Sequence, residues 1–213
     1  WSLVVEQSRI DLALPDIRTG DWEVTGNQAD VLPAITASGE SAVIEFSPTS
    51  LVVTERLAYT GAEQAFVLQN LRTDLSDVTL TLDYGAPGNW PEWATVKGEV
   101  SIDAARIGHP LLVPQAWNFQ GRVEGRLANL RVQGTLRSES GLGFDLAIQL
   151  DPDGAVSISV NSLIKGPRGV RALAESFAEW PGLLTVDSGS AMVSAEFRFG
   201  SKGGMEMNGS ASL

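Results

Sequence analysis

The one histidine of the chain, His109, stands in the run Ile107-Gly108-His109-Pro110. An imidazole activates a nucleophile only when one is positioned beside it, and the 213 residues contain no cysteine. Thiol catalysis, disulfides and cysteine-ligated metal sites are thereby excluded, as is a zinc site built on several histidines. His109 is accordingly read as a structural or solvated residue. The chain carries no G-x-S-x-G elbow, no phosphate-binding glycine loop and no G-x-G-x-x-G run.

Three other stretches imitate chemistry. In "LLTVDSGSA", residues 183–191, an Asp-Ser-Gly-Ser run follows an apolar segment, the setting in which acid proteases hold a catalytic carboxylate. That chemistry needs two carboxylates sharing one proton, yet the motif occurs once and only 26 residues follow Asp187. A strand, a tight turn at Asp187–Gly189 and a second strand account for it. Asp151-Pro152-Asp153-Gly154 suggests calcium, but a calcium loop supplies about six oxygens at further spacings. A hairpin turn explains the same residues, with proline presetting one torsion and glycine supplying a positive φ. Trp90 and Trp93 in Trp90-Pro91-Glu92-Trp93 are candidates for stacking on sugar rings, against the plainer reading of indoles folded back over a sheet edge. Asn208-Gly209-Ser210 matches a glycosylation sequon and is read as strand. No catalytic residue, metal site or cofactor site emerges, and the chain is expected not to be an enzyme.

The formal net charge is −11, from 26 acidic and 15 basic residues, with no basic cluster. Nucleic-acid binding requires a basic footprint that neutralises phosphates, so no nucleic-acid partner is expected, nor adhesion to an anionic membrane surface. With 43% hydrophobic and 19% charged residues the composition is that of a folded chain. No run approaches the ~18 apolar residues of a membrane-spanning helix. The chain starts at Trp1 without an initiator Met, and a strand pattern is still running at Leu213. Both suggest a fragment of a longer protein. The 12 arginines against 3 lysines, among many Ala, Gly, Leu and Val, hint at a GC-rich bacterial genome.

Strict alternation of apolar and polar residues marks half-buried strands. It is cleanest at Val78, Leu80, Leu82 and Tyr84, at Phe144, Leu146, Ile148 and Leu150, and at Val156, Ile158 and Val160. It returns at Val193, Ala195, Phe197 and Phe199, and after a glycine-rich turn at Met205 and Met207. Weaker strands are expected at 2–5, 9–14, 21–24, 42–46, 51–57, 65–71, 96–102, 121–136 and 183–186. Within 121–136 the apolar positions change from odd (Val123, Gly125, Leu127) to even (Leu130, Val132, Gly134, Leu136), which predicts a bulge. In 166–182 the spacing of Val170, Leu173, Ala174, Phe177 and Trp180 is helical, and Trp180-Pro181-Gly182 ends it. An amphipathic helix near 169–180 is expected, capping or plugging a sheet. Loops are expected at 85–89 and 200–204, and His109–Trp117, with two prolines, should leave the sheet. The fold class is therefore mainly β: a curved antiparallel sheet forming an open groove, or sandwich-like, with one short helix. Residues 1–213 read as one β-rich segment, with a weak possible boundary near 85–93.

Burying a Leu, Ile, Val or Phe side chain is worth ~1.5–3 kcal/mol, a large share of a domain's total stability of ~5–15 kcal/mol. The apolar face must therefore be covered by a second sheet, by the sheet curling on itself with the helix as a plug, or by an apolar ligand. Small residues on that face (Gly125, Gly134, Ala195, Gly209, Ala211) would let the sheet bend or leave room inside. The short alternating strands at 121–160, the helix at 169–180 and "WPGLLTVDSGSAMVSAEFRF" leading into another strand pair resemble the YdbH branch of the AsmA-like and TamB proteins. These are long Gram-negative envelope proteins whose repeating β-groove units form a hydrophobic trough. The resemblance is strongest over 121–213. It implies non-enzymatic carriage of phospholipid between inner and outer membranes, a periplasmic location with an inner-membrane anchor outside this segment, and flanking groove segments and an outer-membrane partner. The family has no catalytic signature; on this resemblance Val78, Leu80, Leu82, Phe144, Leu146, Ile148, Leu150, Val156, Ile158, Val160, Val193, Phe197 and Phe199 line the trough and contact acyl chains.

A rival from another class is a pair of β-sandwich modules in a bacterial surface adhesin or carbohydrate-binding protein, for which acidic charge, absent cysteine and many strands are equally suitable. It requires a core closed between two sheets.

Overall fold

The computed structural model describes residues 1–46, 50–60, 66–86, 92–178, 190–200 and 205–212. The strands are β1 (Ser2–Val5), β2 (Ile10–Leu14), β3 (Ile17–Thr19), β4 (Trp22–Val31), β5 (Pro33–Ser38), β6 (Ser41–Phe46), β7 (Ser50–Tyr59), β8 (Phe66–Asp83), β9 (Ala94–Gly108), β10 (Ala116–Arg126), β11 (Asn129–Ser138), β12 (Gly143–Leu150), β13 (Val156–Lys165), β14 (Ser190–Phe199) and β15 (Met205–Ser212); one helix, α1, spans Gly166–Ser176. All the strands belong to a single antiparallel sheet. The mainly β, curved-sheet expectation is met, and the strands form one sheet rather than two.

The connectivity is simpler than fifteen strands suggest. β1 pairs with β5 while β2 pairs with β4. β5 then pairs with β6 and β4 with β7, and both β6 and β7 pair with β8. Taken in line, β1–β2, β4–β5 and β6–β7 are long passes of chain, each interrupted, and every pass is bonded to the next in sequence. From β8 onward the order follows the chain through β15. The fold is a meander, which needs no crossover; α1 stands between the paired strands β13 and β14.

Two creases cross the long passes. At the first, Asp77 adopts φ 52°, the β8–β9 register shifts between Ser76 and Thr79, and β8 changes partner from β7 to β6. At the second, Gly26 (φ 68°) and Asn70 (φ 56°) take left-handed conformations. The pairs Thr25↔Arg56 and Asn27↔Thr54 set Gly26 opposite Glu55, and Thr54↔Leu71 with Arg56↔Gln69 set Glu55 opposite Asn70. The β9–β10 register shifts between Trp117 and Phe119. Such bulges bend a sheet and raise its twist. They also reverse the parity of the inward set: Trp22 and Val24 precede Gly26, whereas the buried residues after it are Asn27, Ala29 and Val31.

Sequence expectation fails at three points. The phase change within 121–136 is a hairpin and no bulge: β10 and β11 pair from Trp117↔Ser138 to Arg126↔Asn129 around Leu127 and Ala128. Odd residues face even ones across such a turn, which produces the same parity switch. The helix lies earlier than 169–180. Gly166, at φ 59°, turns the chain out of β13, Pro167 starts the helix where its missing N–H costs nothing, and Phe177 is already extended at φ −113°, ψ 130°. Phe177 instead bridges Leu112, the Val113 N–H donates to the Ser176 carbonyl (2.9 Å) and the Ala178 N–H to the Leu111 carbonyl (3.0 Å). Of the expected 109–117, residues 109–115 thus leave the sheet and finish the helix, whereas Ala116 and Trp117 already belong to β10. The third concerns one of the two readings of Gly134: no room is left inside there, since the Gln120 carbonyl oxygen and the Phe119 ring occupy the space a side chain would take, and the reading as a place for the sheet to bend is untouched by this.

The expected strand at 183–186, the turn at Asp187–Gly189, the stop at 180–182, most of the turn at 200–204, Trp90 and Leu213 lie outside the described residues. So do residues 87–91 of the proposed weak boundary; β8 and β9 on either side of it are hydrogen-bonded neighbours. Among the described residues no helix is long and apolar enough to cross a membrane.

Candidate functional site

Residues paired across a ladder point to the same face, so the register places each predicted lining residue. Leu146 pairs with Val160 and Val160 with Ala195; Ile148 pairs with Ile158 and Ile158 with Phe197; Leu150 pairs with Val156 and Val156 with Phe199. Toward the other side, Phe144, Leu146 and Ile148 face Leu136, Gly134 and Val132, which face Phe119, Gly121 and Val123. Val193 opposes Ser162. Across the first crease Leu80 faces Val96 and Ile44, while Leu82 faces Ala94 and Ala42. Val78 opposes Phe46. One apolar face therefore runs from β6 to β14, and the thirteen predicted residues all lie on it.

That face is concave. Between β8 and β14 lie five strands, and six spacings in a flat sheet would separate them by roughly 29 Å. Yet the Phe66 and Phe199 ring centroids are 6.3 Å apart, and Phe199 also meets Tyr59 at 5.2 Å and Trp22 at 5.6 Å. The sheet has rolled toward its apolar side, with accumulated right-handed strand twist bringing the far end of β14 over the start of β8.

The other closure is α1. Leu173 and Ala172 pack on Trp117, Leu142 and Ile164, with Ile107, Leu136, Phe144, Val170, Phe177 and Val193 around them. Trp117 is 2% exposed and its ring stacks on Phe144 at 6.0 Å. A buried polar network fixes the end of the helix. The Ser176 hydroxyl donates to the Ala172 carbonyl (2.7 Å), accepts from Gln115 Nε2 (2.9 Å) and lies 2.9 Å from Ser140 Oγ. Ser140 Oγ is 2.8 Å from Ser138 Oγ, and the Ser140 N–H donates to Gln115 Oε1 (3.1 Å). Among the described residues, Trp117 Nε1 is a buried donor without a partner.

Between these closures the lining is only partly covered: Leu146, Ile148, Leu150, Val156, Ile158, Val160, Phe144, Val193, Phe197, Leu80 and Leu82 are half-buried. Val78 and Phe199, each 5% exposed, are core residues in this structure. The register adds Val96, Val100, Ile102, Phe119, Val123, Leu130 and Val132 to the same face. Their alternation is diluted in the sequence by glycines and creases.

The opposite face is mostly polar from β11 to β14, with Leu163 and Met192 exposed on it. Arg131, Gln149 and Ser157 share one row, and Ala147, Ser159 and Glu196 another. Two depressions of about 270 and 280 Å³ lie on it, one beside Asp11, Asp30 and Gln28 and one beside Arg131, Asp151 and Glu196; each is smaller than ordinary ligand pockets of ~300–1,000 Å³. Glu23 is held below the usual carboxylate range by hydrogen bonds from Arg56 and then Arg18. Among the described residues no three His, Cys, Asp or Glu side chains are grouped to hold a metal.

The remaining sequence candidates take structural places. His109 Nδ1 accepts from the Leu111 N–H at 3.2 Å, inside the turn that leads to the helix bridge. Asp151–Ala155 closes the β12–β13 hairpin, with Gly154 at φ 82° and the Ala155 N–H donating to Asp153 Oδ1 at 3.0 Å. Trp93 meets Tyr84 edge to face at 5.6 Å. Asn208 is exposed on β15. The chain matches no protein-family model, no curated protein and no solved structure.

Proposed function

We propose that the concave apolar face is an acyl-chain trough, and that the protein carries phospholipid along it, without covalent chemistry, as the periplasmic part of an envelope protein of the AsmA-like, YdbH type linking inner and outer membranes. One observation carries the reading. Leu146, Ile148, Ile158, Val160 and Phe197 lie on the inside of a rolled sheet, with no second sheet over them among the described strands, and stay half-exposed. Contiguous apolar surface of that kind is a binding surface more often than an accident. Its shape, long and open, with Leu, Ile, Val and Phe predominating between β11 and β14, suits a flexible hydrocarbon chain. A single sheet also favours this reading over the adhesin alternative, which needs two sheets closing a core.

The test is native mass spectrometry with lipid extraction on protein purified from bacterial cells without detergent. Mass additions that release phospholipid are expected. A lipid-free mass on folded protein that also takes up no phospholipid from added vesicles would overturn the trough.

A further inference from the structure

The helix α1 lies on the apolar side of the sheet. Its residues Ala172 and Leu173 are buried on Trp117, Leu142 and Ile164, and Phe144 and Val193 pack against that cluster. Side chains two and four residues apart on a strand share a face, so Phe144 points with Leu146 and Ile148, and Val193 with Phe197, into the trough. The helix therefore takes one end of the apolar face over β12–β14. It is fastened there. The fully buried Ser176 hydroxyl is bonded to Gln115, Ser140 and the Ala172 carbonyl, and the Leu112–Phe177 bridge holds the chain that follows.

The two ends of this strip differ in polarity. At α1 a ligand meets Phe144, Val193 and the apolar side of the helix, and the serine and glutamine side chains nearby are already bonded to one another. A phosphodiester brought there would give up its hydration against apolar side chains, which is costly. At the other end β10–β11 and β12–β13 turn back, and the hairpins expose Arg126, Asn129 and Asp153 to water. Leu130, Leu150 and Val156 lie just inside that end and are half-buried.

The length of the strip fits as well. Phe144 and Leu150 are six residues apart on one strand, roughly 20 Å at ~3.4 Å per residue. One lipid chain spans half of a ~30 Å hydrocarbon core, about 15 Å. A single chain therefore fits end-on between helix and hairpins, with no length left for a second.

We propose that α1 is a stop that orients the lipid: an acyl chain lies along β12–β14 with its methyl end against Phe144, Val193 and the helix, and its headgroup projects past the β10–β11 and β12–β13 hairpins. The inference rests on the acyl-trough reading and adds the direction in which the lipid lies. Movement across the face from strand to strand keeps this orientation, whereas lengthwise passage under α1 is closed by the bonded end of the helix.

The test uses the unaltered protein. Two photoreactive phosphatidylethanolamines are offered in vesicles of phosphatidylethanolamine and phosphatidylglycerol, one with a diazirine at the end of an acyl chain and the other with the diazirine beside the ester. After uptake, irradiation and proteolysis, the labelled residues are read by tandem mass spectrometry. The chain-end probe is expected to label Phe144, Val193 and the α1 peptide. With the ester probe the label should shift to Leu130, Leu150 and Val156. The reverse distribution, or one distribution shared by both probes, would overturn the stop while leaving the trough standing. No uptake of either probe would overturn the trough, and the stop with it.

Discussion

The ring of Phe119 lies on Gly134, so close that a Cβ there would come within 2.7 Å of its Cε2, and 2.2 Å from the Gln120 carbonyl oxygen. Glycine on a strand usually weakens it. Here a neighbouring ring takes the missing side chain's place, as it does at Gly121, where an added Cβ would meet Phe119 Cζ at 2.5 Å.

Gly134→Ala should therefore destabilise the protein by about 1–3 kcal/mol, the usual cost of overpacking. Gly209→Ala on β15, where the nearest atom would be an ordinary 3.6 Å away, should stay within about 0.5 kcal/mol. Urea midpoints at constant m-value compare the two; equal effects would mean that the β10 backbone at Gln120 and Gly121 and the Phe119 ring all give way.

Ser176→Ala strips the buried network at the end of α1 and leaves Gln115 Nε2 and Ser140 Oγ short of a partner. A loss of about 1–3 kcal/mol is expected. Cleavage by a dilute protease should rise between residues 166 and 178, the span of helix and bridge. Uniform sensitivity along the chain would show that the helix opens only with the whole sheet.

On the trough, Leu146→Asp should abolish crosslinking of a photoreactive phospholipid in a protein that still melts cooperatively. A charge there would be desolvated by any bound chain. Leu163→Asp is the control, since Leu163 is 51% exposed and alternates to the outer side of β13. Crosslinking at the unaltered level in folded Leu146→Asp would remove this face from the site.

Glu23 gives an acid-side signature. Its carboxyl is held below 4.5 by Arg56 and Arg18, so its contribution is complete above that value and is lost as pH falls through the lower folded value. Glu23→Gln lacks this contribution at every pH. Its melting temperature should thus lie below that of the unaltered protein at neutral pH and approach it in acid. Parallel curves would show that the arginines do not favour the ionised form.

The strands from 143 to 199 were legible because their inward residues are long and alternate without interruption, as at Ile148, Ile158 and Phe197. The first half was less so. Gly26, Asn70 and Asp77 each reverse the parity of the inward set, so a fixed period of two loses the face midway through β4 and β8. β5 opens on Pro33, a residue tolerated at a strand's first position but easily taken as a break. The end of the helix was missed for a different reason: Phe177 keeps helical spacing yet is drawn into a bridge with Leu112, a partner remote in sequence. Meeting of Phe199 with Trp22, Tyr59 and Phe66 had no local signal. Contacts across a rolled sheet depend on total twist, which no short window of sequence contains.

The meander also bears on how the chain reaches this form. Each pass is bonded to the pass before it, so the ladders other than β13–β14, between whose partners α1 lies, close short loops, and loop closure costs little when few residues separate the partners. Strands can be added one at a time to a growing edge, without waiting for distant chain to arrive. Only the ring cluster around Phe199 must wait for β14. Pairing is thus local and early and the roll comes last, an order of events that suits a chain delivered from one end.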